Sequence, residues 1–300
     1  MKNLIVLVGP TGVGKTDLSI RLAQRFCASI VSADSRQLYR GIEIGTAAPT
    51  ADEQAQVPHY FIGTKNLHED YSAGQYELDA LATIEQLFEH SDYVVLTGGS
   101  MMYIDAVCNG MDDIPPVSDE IRQQVQQLYA TEGLPALQAK LKKVDPEHYE
   151  KVDLCNYRRV MHAVEVSLCI GKPYSTLLSH SKKERPFNII KIGLNRSREE
   201  LYQRINERVL LMVASGLKAE AERVYPYKNH NALNTVGFKE WFQLWDGQVE
   251  SEERVIELIQ QNSRHYAKRQ LTWFKRDADI TWFHPTEEDA IVQHIQQKSL

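Results

Sequence analysis

The chain opens on an unbroken apolar run, Leu4 to Val8, which reads as a strand buried on both faces. Behind it, TDLSIRLAQRF places apolar residues at Leu18, Leu22 and Phe26, the spacing of an amphipathic helix. The alternation then returns. SIVSAD predicts a second strand reaching Asp34, the stretch from Gly74 to His90 predicts a helix, and YVVLTGG predicts a third strand from Tyr93 to Gly99. Buried strands separated by helices specify a parallel sheet covered on both faces, with the ligand at the carboxyl ends of the strands.

Past Met111 the pattern changes. DDIPPVSDE carries a Pro-Pro break and an N-cap signal at Ser118, and polar helical sequence follows toward Ala139. Tyr157 to Ile170 is a further amphipathic helix, stopped by Gly171 and Pro173. SHSKKERPF, 179–187, reads as an exposed basic loop whose Lys182, Lys183 and Arg185 offer a contact to an anionic partner. NIIKIGL, Asn188 to Leu194, is a buried strand again, and helix-rich sequence follows. The expected fold is therefore α/β. A discontinuous core, residues 1–112 and 187–300, carries the parallel sheet flanked by helices, and residues 113–186 form a helical insertion.

Composition narrows the classes. At 300 residues and 43% hydrophobic content the chain can bury a large core, so disorder is not the default expectation. With 34 Lys and Arg against 40 Asp and Glu, a net charge of −6, any nucleic-acid contact must come from local basic patches. Cys27, Cys108, Cys155 and Cys169 are scattered, with no Cys-x-x-Cys pair, so neither a zinc ribbon nor a disulfide framework is suggested. LIVLV is too short for a secretory signal, and no stretch has the apolar length of a membrane span. A cytoplasmic protein without a membrane partner is expected, and a monomer is the default.

The first strand leads directly into GPTGVGKT: Gly9, Pro10, Thr11, Gly12, Val13, Gly14, Lys15 and Thr16. This is a complete G-x-x-x-x-G-K-[ST] loop in its proper strand–loop–helix setting, the hallmark of a P-loop NTPase-like core. The glycines let backbone N–H groups reach phosphate oxygens, the helix start adds positive potential, Lys15 reaches further oxygens and Thr16 can ligate Mg²⁺. A P-loop NTPase also ends a buried strand in a Mg²⁺-binding Asp, but here the strand from Tyr93 ends in Thr97-Gly98-Gly99-Ser100. The nearest strand-end carboxylate is Asp34, which can hold a metal or take a proton from a group lying over the phosphates.

Arg204 and Arg208 in RINERVLLM are four apart and share a helix face. SRHYAKRQLTWFKR, Ser263 to Arg276, is basic and free of acidic residues. Ala267, Leu271 and Phe274 form its apolar stripe, while Arg264, Lys268 and Lys275 lie on another face, and Arg269 adds to a cluster suited to RNA phosphate. Tyr266 and Trp273 can stack on bases or pack in the core.

Taken in order, GPTGVGKT, DSRQLYRGIEIGTAAP, VPHYF, TGGSMMY, YRRVMHAVEV with GKP, RINERVLLMVASGL, LNTVGFKEW and YAKRQLTWFKR resemble the tRNA dimethylallyltransferase, or tRNA isopentenyltransferase, family from Lys2 to about Arg276. The resemblance implies transfer of a dimethylallyl group from dimethylallyl diphosphate to N6 of the adenosine 3′ of the tRNA anticodon. Lys15, Thr16 with Mg²⁺, and Arg208, with Arg204 second, would hold the diphosphate, and Asp34 would be the base. It also implies that Asp34, Ser35, Arg36 and Gln37 read the base and its neighbours, that Ser100 stands where Thr is usual, and that Arg122 touches tRNA. Where the family usually has Asn-Pro-Arg-Arg-Val and a further Arg, this chain has Asn156, Tyr157, Arg158, Arg159, Val160 and then His162. Lys239 replaces the usual Arg of the Val-Gly motif. Lys268 and Arg269 complete the expected contacts with the anticodon stem-loop. Three other readings share parts of this set: a small-molecule kinase, an isoprenoid transferase acting on free AMP or ATP, and an RNA-binding NTP switch. The missing carboxylate at the third strand and the basic C-terminal half weigh against the kinase.

Overall fold

The computed structural model describes residues 1–179 and 181–299, so His180 of the basic loop lies outside the described residues. The chain divides into two compact units, Met1–Asn109 with Glu184–Leu300, and Gly110–Lys183.

In the first unit β1 (Asn3–Val8), β2 (Ser29–Ser32), β3 (His59–Tyr60), β4 (Tyr93–Thr97), β5 (Asn188–Leu194) and β6 (Thr281–Phe283) form one sheet in the order β3-β2-β4-β1-β5-β6. Every neighbouring pair is parallel; Leu4 of β1, for example, lies in register with Val94 on one side and Ile189 on the other. Its central place explains the unbroken apolar run. Ile5 and Leu7 pack with Leu18 and Leu22 of α1 (Lys15–Arg25), whereas Leu4, Val6 and Val8 pack with Tyr76, Ala80 and Ile84 of α2 (Ala73–Phe88) and Val107 of α3 (Met101–Asn109). A strand sandwiched by helices has no polar face to show. β3 and β6 escape the sequence reading because pieces of two and three residues are too short to display a period.

The inserted unit is helical. Ser118 caps α4 (Asp119–Val144) by accepting a hydrogen bond from the Ile121 N–H at 3.5 Å, and Gly133, with φ 74°, kinks the helix just before Pro135. α5 (Tyr157–Ile170) is capped by Asn156 and ended by Gly171 in the left-handed conformation. Val125, Leu137, Leu141, Val160, Ala163 and Val164 give this unit its own core.

The chain then returns to the first unit, and Arg185 corrects the expectation of an exposed basic loop. Its guanidinium donates to Glu77 at 2.8 Å and to the carbonyls of Ala106 and Val107, with the side chain only 9% exposed. Glu77 is itself buried on α2, and a buried carboxylate left without a cation is strongly destabilising. Lys182 is exposed, and Lys183 pairs with Asp113.

Two long helices finish the core, α6 (Arg198–Ala214) and α7 (Glu252–Phe274). Along α7, Ala267 and Phe274 are buried and Leu271 packs against the core, while Lys268 and Lys275 are exposed. Arg264 departs from its expected place on that basic face: it donates to the Asn206 side chain and lies over the Tyr202 ring. Among the described residues no helix is long and apolar enough to cross a membrane.

Candidate active site

The carboxyl ends of β1, β2 and β4 open into one cleft of about 1270 Å³, and all of its lining belongs to the first unit. The P-loop forms one wall. Its backbone runs through φ of 80° at Gly12 and 108° at Gly14, and a Cβ at Gly12 would come within 2.9 Å of the Ile205 side chain, so α6 presses on the loop from outside. Thr11, Gly12, Gly14, Lys15 and Thr16 line the cleft. Gly9, Pro10 and Val13 face inward instead: the first two offer their carbonyls, and the Val13 side chain is fully buried in the core.

Lys15 Nζ donates to the carbonyls of Gly9 at 2.9 Å and Pro10 at 3.0 Å. Burial pushes its pKa down to about 7; the Arg208 charge adds to that fall, and Asp34 opposes it. Arg208, from α6, donates to Thr11 Oγ1 at 3.0 Å and is lowered in turn by burial, again against the pull of Asp34. Arg204, one turn earlier, donates to the Gly12 carbonyl at 3.0 Å from a more exposed position. Two desolvated cations that repel one another, beside a loop of glycines, make a site chemically suited to a polyanion.

Asp34 lines the same cleft, two residues beyond β2. Its Oδ1 accepts from the backbone N–H of Arg36 at 2.9 Å and of Gln37 at 3.3 Å, which fixes the carboxylate plane. Its Oδ2 lies 3.0 Å from the point where a Gly99 Cβ would sit. That position and its neighbour explain the paired glycines after β4. A Cβ on Gly98 would meet the Ala33 backbone at 2.2 Å, and one on Gly99 would wedge between Asp34 Oδ2 and Gln270 Nε2, 3.0 Å from each. Where a P-loop NTPase keeps its metal carboxylate, Thr97 donates its hydroxyl to the Leu7 carbonyl at 3.1 Å.

Ser35, Arg36, Gln37, Ser100, Lys239 and Arg269 line the same cleft. Arg36 donates to the Asn231 carbonyl, and the Gln37 carboxamide is engaged with the Thr46 and Ala47 carbonyls, so it holds the segment after Ile42. Arg269 lies over the Tyr266 ring, 5.7 Å from its centroid. Lys268 is exposed but not part of the lining. Arg122, Arg158, Arg159 and His162 belong to the inserted unit, and all four are exposed there. Arg158 stands over the Tyr157 ring, which stacks on Tyr129 at 5.1 Å. His162 meets the edge of Tyr174, and partial desolvation, then Arg122 and His148, lowers its pKa, so near neutrality it is a neutral donor or acceptor.

The supporting roles of four residues escaped the sequence reading. Gln270 on α7 is fully buried, accepts from the Thr11 N–H and donates to the Gly99 carbonyl; Tyr266 donates to that same carbonyl. Arg196 donates to the Val13 carbonyl at 2.9 Å from behind the loop. Glu220, buried, accepts from the N–H groups of Ile44 and Gly45 and anchors the far wall. The signal for Gln270 and Tyr266 was present, since both continue the α7 stripe through Ala267 at helical spacing, but a polar residue in an apolar stripe does not announce its partner. Trp273, weighed as a base stacker, donates its indole N–H to Asp105 and packs in the core.

Comparison with known proteins shows the family. The family described as IPP transferase matches residues 37–277. A tRNA dimethylallyltransferase 1 of Phocaeicola vulgatus is 56% identical over 292 residues, 97% of each chain, and a tRNA dimethylallyltransferase 2 of Parabacteroides distasonis is 53% identical over 99% of each. Among solved structures, the tRNA isopentenylpyrophosphate transferase of Bacillus halodurans superposes with a TM-score of 0.72 at 35% identity, covering 100% of this chain and 98% of its own. A eukaryotic dimethylallyltransferase acting on tRNA reaches a TM-score of 0.83 at 26% identity, over 99% of this chain and 77% of its own.

Proposed function

Because the chain belongs to the IPP transferase family, we propose that it transfers a dimethylallyl group from dimethylallyl diphosphate to N6 of the adenosine 3′-adjacent to the anticodon in tRNA, releasing diphosphate. The observation that carries this reading is that the Asp34 carboxylate shares one cleft with the Lys15 and Arg208 cations of the phosphate cradle and interacts electrostatically with both. A kinase would need its acceptor to attack phosphorus. Prenyl transfer needs the ester carbon of a diphosphate in the cradle to face a base, and Asp34 lines the same cleft as Lys15 and Arg208.

In the reaction, the allylic C–O bond breaks and its electron pair leaves with the diphosphate. Lys15, Arg208 and the loop amides stabilise the departing charge, the kind of preorganised electrostatics that dominates many enzymes. The adenine N6 lone pair forms the new C–N bond, and Asp34 accepts the N6 proton, a step worth about 10² to 10⁴-fold. The residues suit Mg²⁺. Thr16 lines the cleft at the start of α1, where its hydroxyl would hold an ion that takes its other ligands from phosphate and water. When bound, Mg²⁺ would neutralise charge on the leaving diphosphate.

For the acceptor, the target adenine must leave the anticodon-loop stack to enter the cleft. Ser35, Arg36, Gln37, Ser100, Lys239 and Arg269 would surround it and its neighbours. Lys268, Arg122, Arg158, Arg159 and His162 would contact the stem-loop backbone.

The test compares transcripts that differ only in the nucleotide 3′ of the anticodon. Diphosphate release should need adenosine there. Equal release with guanosine, or with no RNA, would contradict the proposal.

A further inference from the structure

We propose that Gln270 is the positioning residue that holds the diphosphate cradle in register with the general base, so that one carboxamide couples the two halves of the transfer site. The proposal rests on the prenyl-transfer reading above.

Gln270 is completely buried, and a buried carboxamide must satisfy both of its ends. Here each end grips a different wall. Oε1 accepts the Thr11 N–H at 2.8 Å, tying α7 to the P-loop, and Nε2 donates to the Gly99 carbonyl at 2.9 Å, tying α7 to the loop after β4. Both partners are functional neighbours. Thr11 carries the hydroxyl that receives Arg208, so the Gln270 bond sets where that guanidinium stands. Gly99 is the residue over which Asp34 Oδ2 lies, and Gln270 Nε2 and Asp34 Oδ2 are both 3.0 Å from its vacant Cβ position. Of the two α7 side chains that bond the Gly99 carbonyl, Gln270 also bonds the P-loop.

The consequence is geometric. Attack on an allylic carbon needs leaving group, carbon and base held to a fraction of an ångström, and a misplacement of about 1 Å costs on the order of 10²-fold in rate. Tyr266 supports the same Gly99 carbonyl at 2.9 Å but makes no bond to the P-loop, so it shares one half of the task only. The Thr11 N–H donates to Gln270 and the Val13 N–H to the Pro10 carbonyl at 3.3 Å, so these two amides anchor the loop itself.

Two substitutions separate positioning from packing. Gln270→Met keeps the volume and removes both hydrogen bonds. It should lower kcat on the order of 10²-fold, with KM for dimethylallyl diphosphate and for tRNA changed less than about threefold, and speed amide hydrogen exchange in a peptide covering residues 9–14. Gln270→Glu keeps the acceptor for Thr11 but brings a second carboxylate beside Asp34, so the acid limb of the kcat profile should move up by about one pH unit or more. Near-normal kcat in a folded Gln270→Met protein, or a loss entirely in KM, would overturn the proposal, as would an unmoved acid limb in Gln270→Glu. If Gln270→Met does not fold, the Gln270→Glu profile decides. If the wild-type protein transfers nothing to tRNA, the prenyl-transfer reading fails by itself, and unchanged exchange over 9–14 in Gln270→Met would still refute the coupling.

Discussion

Lys15 makes the sharpest quantitative demand on this account. Burial and the Arg208 charge hold its pKa at about 7 in the free protein. At pH 8 roughly nine Lys15 side chains in ten are then neutral. A bound diphosphate reverses the balance, because the anion favours the ammonium form, so donor binding must draw a proton from solvent. The uptake should be roughly 0.1 proton at pH 6, 0.5 at pH 7 and 0.9 at pH 8. The donor's own last ionisation lies near pH 6, so at pH 8 it contributes little. By linkage, Kd for the donor should rise about fifteenfold between pH 7 and pH 8.5. Calorimetry of dimethylallyl diphosphate binding without tRNA, at pH 8 in two buffers of different ionisation enthalpy, measures the proton count directly. Lys15→Met should abolish most of it. A wild-type uptake near zero at pH 8 would mean an ordinary lysine, and the picture of two desolvated cations awaiting an anion would be wrong. The same shift has a sign for stability: the unfolded chain binds more protons at this site between pH 7 and the normal Lys range, so Lys15 makes the free fold gain stability as pH rises through that window.

Other outcomes follow from single contacts. Asp34→Ala should reduce turnover by about 10² to 10⁴-fold while donor affinity, read by the same calorimetry, changes little; near-normal turnover would remove Asp34 from the mechanism. Gly99→Ala should be more damaging than Ser100→Ala, since its Cβ would press on both Asp34 and Gln270; equal activity of the two would refute the wedge argument. Joint replacement of Lys268 and Arg269 by Ala should weaken tRNA binding and reduce the slope of log Kd against log salt by about one to two; an unchanged slope would return this part of α7 to plain solvated surface. Arg185→Met should cost about 3 kcal/mol or more by stranding buried Glu77, seen as a fall in the denaturant midpoint, whereas a solvent-facing Arg185 would cost almost nothing.

What was legible in the sequence was whatever repeats or repels locally. The run Leu4 to Val8, the helical spacing of Leu18 and Leu22, and the caps at Ser118 and Gly171 each depend on near neighbours, and the structure has them where the pattern puts them. The P-loop was legible because its glycines, Lys15 and Thr16 are contiguous. Contacts between distant segments were not. Thr11 and Gln270 are 259 residues apart, Arg185 and Glu77 are 108 apart, and nothing in either local sequence names the partner. Arg185 reads as one more charge in SKKER; only the buried acid across the core makes it structural. Arg264 likewise reads as part of a basic face until Asn206 and Tyr202 claim it.

The central claim is that the cradle serves carbon transfer to tRNA and not phosphoryl transfer. The direct measurement is mass spectrometry, with nucleotide mapping, of an unmodified tRNA carrying adenosine 3′ of its anticodon, after incubation with the protein, Mg²⁺ and dimethylallyl diphosphate. The account predicts the mass gain of one dimethylallyl group, confined to that adenosine, with one diphosphate released per group. An unaltered tRNA, or a dimethylallyl group found instead on free AMP, would contradict it.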